Sequence, residues 1–186
     1  MGKTEIKLAN VWLLSNSGIE VIATAPIALH LMEPDECGGQ STQILPTSGL
    51  DTHYILQSWG NCSTNTNLTT TVSITASKNQ TEVTICLSAE NNMAKLIWVD
   101  NVTYTAGETF HAMLDSLQNL VLDCQCEVFR IDINGSAPVA VFYVQNDGLP
   151  RQVLPVIRWG KHYILCSMSQ TSDTLQITGL YVENAH

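Results

Sequence analysis

The segment QILPTSGLDTHYILQS, residues 43–58, recurs without a gap as QVLPVIRWGKHYILCS, residues 152–167. Eight of the sixteen aligned positions are identical. Unrelated segments of ordinary composition would share about one, so the match predicts an internal duplication. A duplicated unit predicts a pseudo-twofold architecture in which related surfaces occur in pairs.

The match extends beyond these two segments and divides the chain. Repeat unit A covers about 11–77, an unmatched segment covers 78–125, and repeat unit B covers about 126–183. A unit of about 60 residues buries one sheet face poorly, which favours packing of both units into one compact domain over 1–186. The upstream matches are APIA at 25–28 with APVA at 137–140, Asp35 with Asp147, and Gly39 with Gly148.

Alternation of apolar and polar residues dominates both units. It is clear in residues 68–76, 82–87 and 128–133, and a period of two is typical of half-buried strands. About ten to twelve short strands separated by turn residues suit a β-sandwich. The predicted fold class is therefore all-β, a jelly-roll-like sandwich built from a duplicated β unit, with at most one short helix.

Two segments carry specific local expectations. Asn134-Gly135 is a hairpin-turn dipeptide, because both residues tolerate positive φ. We therefore expect a turn there and a returning strand at 139–144. In residues 109–122 the apolar side chains fall at helical spacing. This segment is either the single helix or two strands around Asp115-Ser116.

Composition excludes several classes of function. The 17 acidic and 8 basic residues give a net charge of −9, and the basic residues are scattered. Nucleic acid is therefore not an expected partner. No uninterrupted apolar run of 18 residues occurs, so we expect no membrane insertion. The start lacks the pattern of a secretory signal, yet the predicted location is extracellular or at the surface of a cell or particle.

The repeated His-Tyr pair is the one ionisable motif common to both copies. His53 and Tyr54 match His162 and Tyr163. Adjacent strand residues point to opposite faces, so each pair offers one ring inward and one outward. If a pseudo-dyad relates the copies, the two histidines could hold a metal or an anion. The alternative is that each histidine satisfies turn carbonyls while its tyrosine packs.

Aromatic and cysteine residues supply the other candidate sites. Tryptophans beside Asp and Asn are typical of sugar-stacking sites, although most tryptophans of β-sandwiches pack in the core or at its rim. The even number of cysteines allows three disulfides, and buried free thiols are the alternative. Cys124-Gln125-Cys126 does not have zinc-ligand spacing, so no metal site is predicted. The candidate sugar site comprises Trp59, Trp98, Asp100, Asn101 and Trp159; the candidate disulfide cysteines are Cys37, Cys62, Cys86, Cys124, Cys126 and Cys166.

No motif for nucleophilic, phosphate-binding or metal-dependent catalysis occurs in the sequence. We therefore expect no enzyme activity and no cofactor. The predicted function is a structural, self-assembling subunit of a surface filament, coat or capsid-like shell, whose partner is another copy of the chain. This composition is similar to that of subunits of surface appendages, spore coats and viral shells. The alternative function is a lectin-like module that binds glycans.

Overall fold

The computed structural model describes residues 18–32, 41–58, 69–89, 97–99, 102–104, 107–125, 129–145 and 150–160. These residues form β-strands and two 3₁₀ turns, and they contain no α-helix. The all-β prediction is confirmed. The strands are β1 (Leu29–Met32), β2 (Ser41–Ile44), β3 (Asp51–Ser58), β4 (Thr69–Ala76), β5 (Thr81–Ala89), β6 (Ile97–Val99), β7 (Val102–Tyr104), β8 (Thr109–Leu114), β9 (Asn119–Gln125), β10 (Phe129–Gln145) and β11 (Arg151–Gln152).

The strands form two antiparallel sheets. β1 and β2 make a two-stranded sheet, and the other nine strands make a larger one. Its main order is β7-β6-β9-β4-β10-β5-β8, while β3 and β11 also pair with β10.

Strand β10 organises the large sheet because its two halves have different neighbours. Residues 129–135 pair with β5, and residues 129–134 pair with β3 on the other side. Residues 139–145 pair instead with β4, and Phe142 and Tyr143 pair with β11. The change occurs around Gly135–Pro138, where proline lacks a backbone donor and the register shifts. The sheet is therefore curled, with both halves of β10 facing one interior.

One hydrophobic core fills that interior. It draws residues from β3, β4, β5, β8, β9 and β10, together with Val153 after β11. The fully buried side chains alternate with exposed ones along each strand, as the period of two predicts. The completely buried core residues include Tyr54, Val72, Ile74, Val83, Ile85, Leu122, Ile131, Ile133, Val139 and Val141.

The two repeated Leu-Pro segments adopt the same local structure. The 3₁₀ turn Thr47–Gly49 follows Pro46, and the 3₁₀ turn Val156–Arg158 follows Pro155 at the aligned positions. We name Pro46–Leu50 corner A and Pro155–Trp159 corner B. The amide of Gly49 donates to the Pro46 carbonyl at 2.8 Å, and that of Arg158 donates to the Pro155 carbonyl at 2.9 Å.

The strands that precede the two corners also pair in the same register in unit A and unit B. Leu29 pairs with Ile44 and His30 with Gln43 in unit A. In unit B the aligned Phe142 pairs with Gln152, and the Val153 amide donates to the Val141 carbonyl at 2.8 Å. Duplication of the whole unit, the sandwich and the single-domain boundaries stay predictions, because residues 161–186 lie outside the described part.

The hairpin expected at Asn134-Gly135 is wrong. Both residues lie within β10, which continues to Gln145 without turning back. The dipeptide tolerates a turn but does not require one, and here the neighbouring strands β3 and β5 hold Asn134 in register.

For residues 109–122, the two-strand alternative is confirmed. β8 and β9 flank a turn in which the Gln118 amide donates to the Asp115 carbonyl at 2.9 Å, and Leu117 has φ of 64°. Phe110 and Leu114 face the core, whereas Met113 is 62% exposed. The helical spacing therefore arose from apolar residues on both faces of two strands.

Candidate functional site

A mostly polar surface lies on the outer side of four adjacent strands, β3, β10, β5 and β8, and it includes the buried Ile55, which lies opposite Asp132. Along each strand, alternate residues enter the core and the residues between them face outward. Antiparallel pairing sets the outward residues side by side. We call this surface the polar face and define it by its outward residues, His53, Arg130, Asp132, Asn134, Glu82, Thr84, Cys86, Ser88, Thr109, His111 and Met113.

Asp132 is the centre of one half of the polar face. Its Oδ1 lies 3.1 Å from His53 Nε2 and accepts a hydrogen bond from Asn134 Nδ2 at 2.8 Å. Its Oδ2 lies 3.4 Å from Arg130 Nη2. The His53 and Arg130 side chains are each 41% exposed, and Asp132 is 26% exposed. The carboxylate therefore fixes two exposed donor groups in place.

His111 is the centre of the other half. Its Nδ1 lies 3.0 Å from Thr84 Oγ1 and 3.5 Å from Glu82 Oε1. The histidine and glutamate side chains are both more than half exposed. A catalytic triad requires the hydroxyl on one ring nitrogen and the carboxylate on the other. Here both groups contact the same nitrogen, so this arrangement does not form a relay.

Cys86 lies between the two halves and carries a free thiol. Its Sγ is 3.4 Å from Thr109 Oγ1. The side chains of the other five cysteines lie outside the described part of the chain, so the disulfide prediction stays a prediction for them.

The first His-Tyr pair is divided between the two faces of β3, as the alternation predicts. Tyr54 is fully buried, donates to the Val139 carbonyl at 2.6 Å and accepts from the Asp51 amide at 3.1 Å. Burial raises the pKa of the Tyr54 phenol above its usual value. His53 faces outward and contacts Asp132. The second pair, His162 and Tyr163, lies outside the described residues.

One residue of the predicted sugar site has a described side chain. Trp159 lies half-buried in corner B, where its Nε1 donates to the Leu154 carbonyl at 3.4 Å. The backbone of Trp98 belongs to β6, and its side chain is outside the described part. Trp59, Asp100 and Asn101 also lie outside it. Four of the five side chains lie outside the described part of the chain, so the sugar site stays a prediction.

Sequence reasoning missed most of the polar face. The alternation places Arg130 and Asp132 in a strand and Asn134 in a turn, and no motif marks these residues, Thr84 or His111 as site residues. The signal was present in the alternation itself, because Arg130-Ile-Asp132-Ile-Asn134 puts three polar side chains on one side of a strand. The sequence alone did not show which strands would become neighbours in the sheet.

Two further findings concern metal binding and membrane-spanning helices. Within the described ranges, no group of three or more His, Cys, Asp or Glu side chains could hold a metal ion. The same ranges contain no helix long and apolar enough to cross a bilayer.

The chain matches a known protein family. A family model described as IgGFc binding protein matches residues 40–184. That range includes β2 to β11, both corners and every residue of the polar face. No curated protein and no solved structure was found to match the chain.

Proposed function

This chain belongs to the IgGFc binding protein family, and we propose from that membership that it is a non-enzymatic module that binds a protein, with the Fc region of immunoglobulin G as its partner. The match over residues 40–184 is the observation that carries the proposal. Immunoglobulin G is secreted, so binding of its Fc region further supports an extracellular location for this module.

We propose that the polar face is the contact surface. It presents Arg130, two histidines and the exposed Met113, and arginine and methionine are enriched in protein interfaces. Its carboxylates hold the basic side chains in fixed positions, which lowers the entropy that ordering them on binding would cost. The contacts of both histidines are those of an ordered polar network and support a binding role over a catalytic one.

The area of the polar face limits how much of the binding interface it can form. Four strands about 4.8 Å apart, with about five residues along each, give roughly 300 Å². A standard interface covers about 800 Å² on each partner. The polar face is therefore the centre of a larger contact area, and its best-anchored side chains are expected to dominate the binding energy.

Surface plasmon resonance against an immobilised Fc fragment tests the proposal. We expect binding by the whole chain and at least about a tenfold loss of affinity for Arg130→Ala, as for a hot-spot arginine. Arg151→Ala is the matched control, because Arg151 is exposed on β11, away from the polar face, and should bind as the parent does. No binding by the parent chain contradicts the proposed partner, and equal binding by both variants contradicts the proposed surface.

The self-assembling subunit and the glycan-binding module remain alternative functions. Light scattering over a wide concentration range under oxidising conditions tests assembly, which fails if the chain stays monomeric. A glycan array tests sugar binding, which fails if no glycan is retained. No specific observation among the described residues favours either alternative over binding of the Fc region.

A further inference from the structure

The sequence contains five Asn-x-Ser/Thr sequons, which begin at Asn61, Asn67, Asn79, Asn101 and Asn134. Such a motif accepts an N-linked glycan where it lies on the surface of a secreted protein. Two of the five, Asn79 and Asn134, have described side chains, and both are exposed. Exposure therefore does not separate these two sequons, whereas the contacts of their side-chain amides do.

Asn79 lies in the turn between β4 and β5, at one end of the large sheet. This turn packs against the β8–β9 turn, where the Ser116 amide donates to Asn79 Oδ1 at 2.9 Å. Because a backbone amide only donates, the oxygen of the Asn79 side chain faces Ser116 and the nitrogen does not. Within the part of the chain that the structure describes, Asn79 Nδ2 forms no hydrogen bond. The side chain is thus held by its oxygen, and the nitrogen that carries a glycan is accessible.

The hydroxyl residue of the same sequon, Thr81, is closed inside the folded turn. Its side chain is completely buried, and its Oγ1 donates to the Lys78 carbonyl at 2.8 Å. Because the sequon is recognised through this hydroxyl as well as the asparagine, attachment of a glycan has to precede closure of the turn. The closed turn then keeps the Thr81 and Asn79 hydrogen bonds while the glycan lies outside it.

The Asn134 sequon is different, because the fold uses both of its polar groups. Asn134 Nδ2 donates to Asp132 Oδ1 at 2.8 Å, and Ser136 Oγ accepts from the Glu82 amide at 2.9 Å. Asn134 also lies in the middle of β10, between β3 and β5. A glycan on its nitrogen would lie on the polar face beside Asp132, whereas a glycan on Asn79 would not.

We propose that Asn79 is an N-linked glycosylation site, an inference that rests on the proposed extracellular location. The donor is an oligosaccharide joined to a polyprenyl diphosphate. The bond between the sugar C1 and the diphosphate oxygen breaks, Asn79 Nδ2 bonds to C1 and loses one proton, and the polyprenyl diphosphate leaves. Oδ1 is unchanged, so the contact with Ser116 is retained. Thr81 is five residues along β5 from Cys86, about 17 Å, so the glycan is attached at the end of the sheet and outside the polar face.

Peptide mapping of the full chain tests the site directly. The chain is expressed behind a secretory leader in eukaryotic cells and recovered from the medium and the cells together. An amidase that releases N-linked glycans is applied in heavy-oxygen water, which converts each occupied asparagine to a labelled aspartate that mass spectrometry locates. We expect the label at Asn79 in most molecules.

Two variants complete the test. Asn79→Asp keeps an oxygen for the Ser116 amide and removes the acceptor nitrogen, so it should lose one glycan; Thr81→Ser keeps the sequon and, as the matched control, should retain that glycan. An unlabelled Asn79 in the parent chain overturns the proposal, and so does an unchanged number of glycans in Asn79→Asp. If a variant does not fold, the map of the parent chain decides. A label at Asn134 would count against the polar face as the contact surface, while the label at Asn79 alone decides this proposal, so the two failures are distinguishable.

Discussion

Tyr54 connects two elements that are far apart in the sequence. Its hydroxyl donates to the Val139 carbonyl in β10 and accepts from the Asp51 amide at the start of β3, while its ring is fully buried. Tyr54→Phe leaves that carbonyl and that amide without this partner inside the protein. We expect a loss of about 1–3 kcal/mol in the free energy of unfolding, measured by urea denaturation.

Tyr143→Phe is the matched control, because Tyr143 is only partly buried against the core. It should change the free energy of unfolding by less than Tyr54→Phe does. Equal losses in the free energy of unfolding for the two variants would show that the hydrogen bonds of the Tyr54 hydroxyl do not add to stability.

The buried phenol also predicts a pH dependence. Its pKa is raised in the folded protein, mainly by burial, so the unfolded chain releases this proton at a lower pH, about 10. The folded state binds more protons between the two pKa values, and stability therefore falls as the pH rises through that interval. Because Phe does not titrate, the stability gap between parent and Tyr54→Phe should narrow above about pH 10. If urea denaturation gives a constant difference in the free energy of unfolding between the two proteins from pH 8 to 11, this prediction is wrong.

At the scale of elements, the bend in β10 depends on Gly135. A Cβ built at this position would lie 2.7 Å from the Ala137 carbonyl oxygen, and a backbone atom cannot move away as a flexible side chain can. Gly135→Ala should therefore lower the free energy of unfolding by roughly 1–3 kcal/mol. Gly49→Ala in corner A is the control, since its Cβ would meet nothing closer than 3.5 Å. Similar urea unfolding midpoints for the two variants would contradict the role of Gly135 in the bend.

The sequence allowed the elements to be predicted better than their connections. Alternation identified β4, β5 and the first half of β10, since one face of each strand is buried. It could not show that β10 continues past Asn134-Gly135, because that depends on β3 and β4 lying beside it. The polar face escaped prediction for the same reason: Asp132 and His53 are 79 residues apart in the chain, and only strand pairing brings them together.

At the scale of the whole molecule, one core joins both halves of β10. Ile133 comes from the first half and Val141 from the second, and both are completely buried in one cluster with Tyr54 and Val72 of repeat unit A. No separate core exists among the described residues for either unit to retain if the other unfolds. We therefore expect a single cooperative unfolding transition, as is usual for small domains, with coincident curves from far-ultraviolet circular dichroism and tryptophan fluorescence.

Substitutions in the two halves of β10 test this cooperativity most directly. Ile133→Ala and Val141→Ala each remove buried methyl groups, and the larger truncation, Ile133→Ala, should cost about 2–5 kcal/mol. Because the core is shared, each variant should shift the whole urea transition seen by both probes. Ile133→Val is the conservative control, with an expected loss of about 0.5–1.5 kcal/mol. A variant that shifts one probe and leaves the other in place would show two parts of the chain that unfold independently, because a shared core cannot lose stability in only one part.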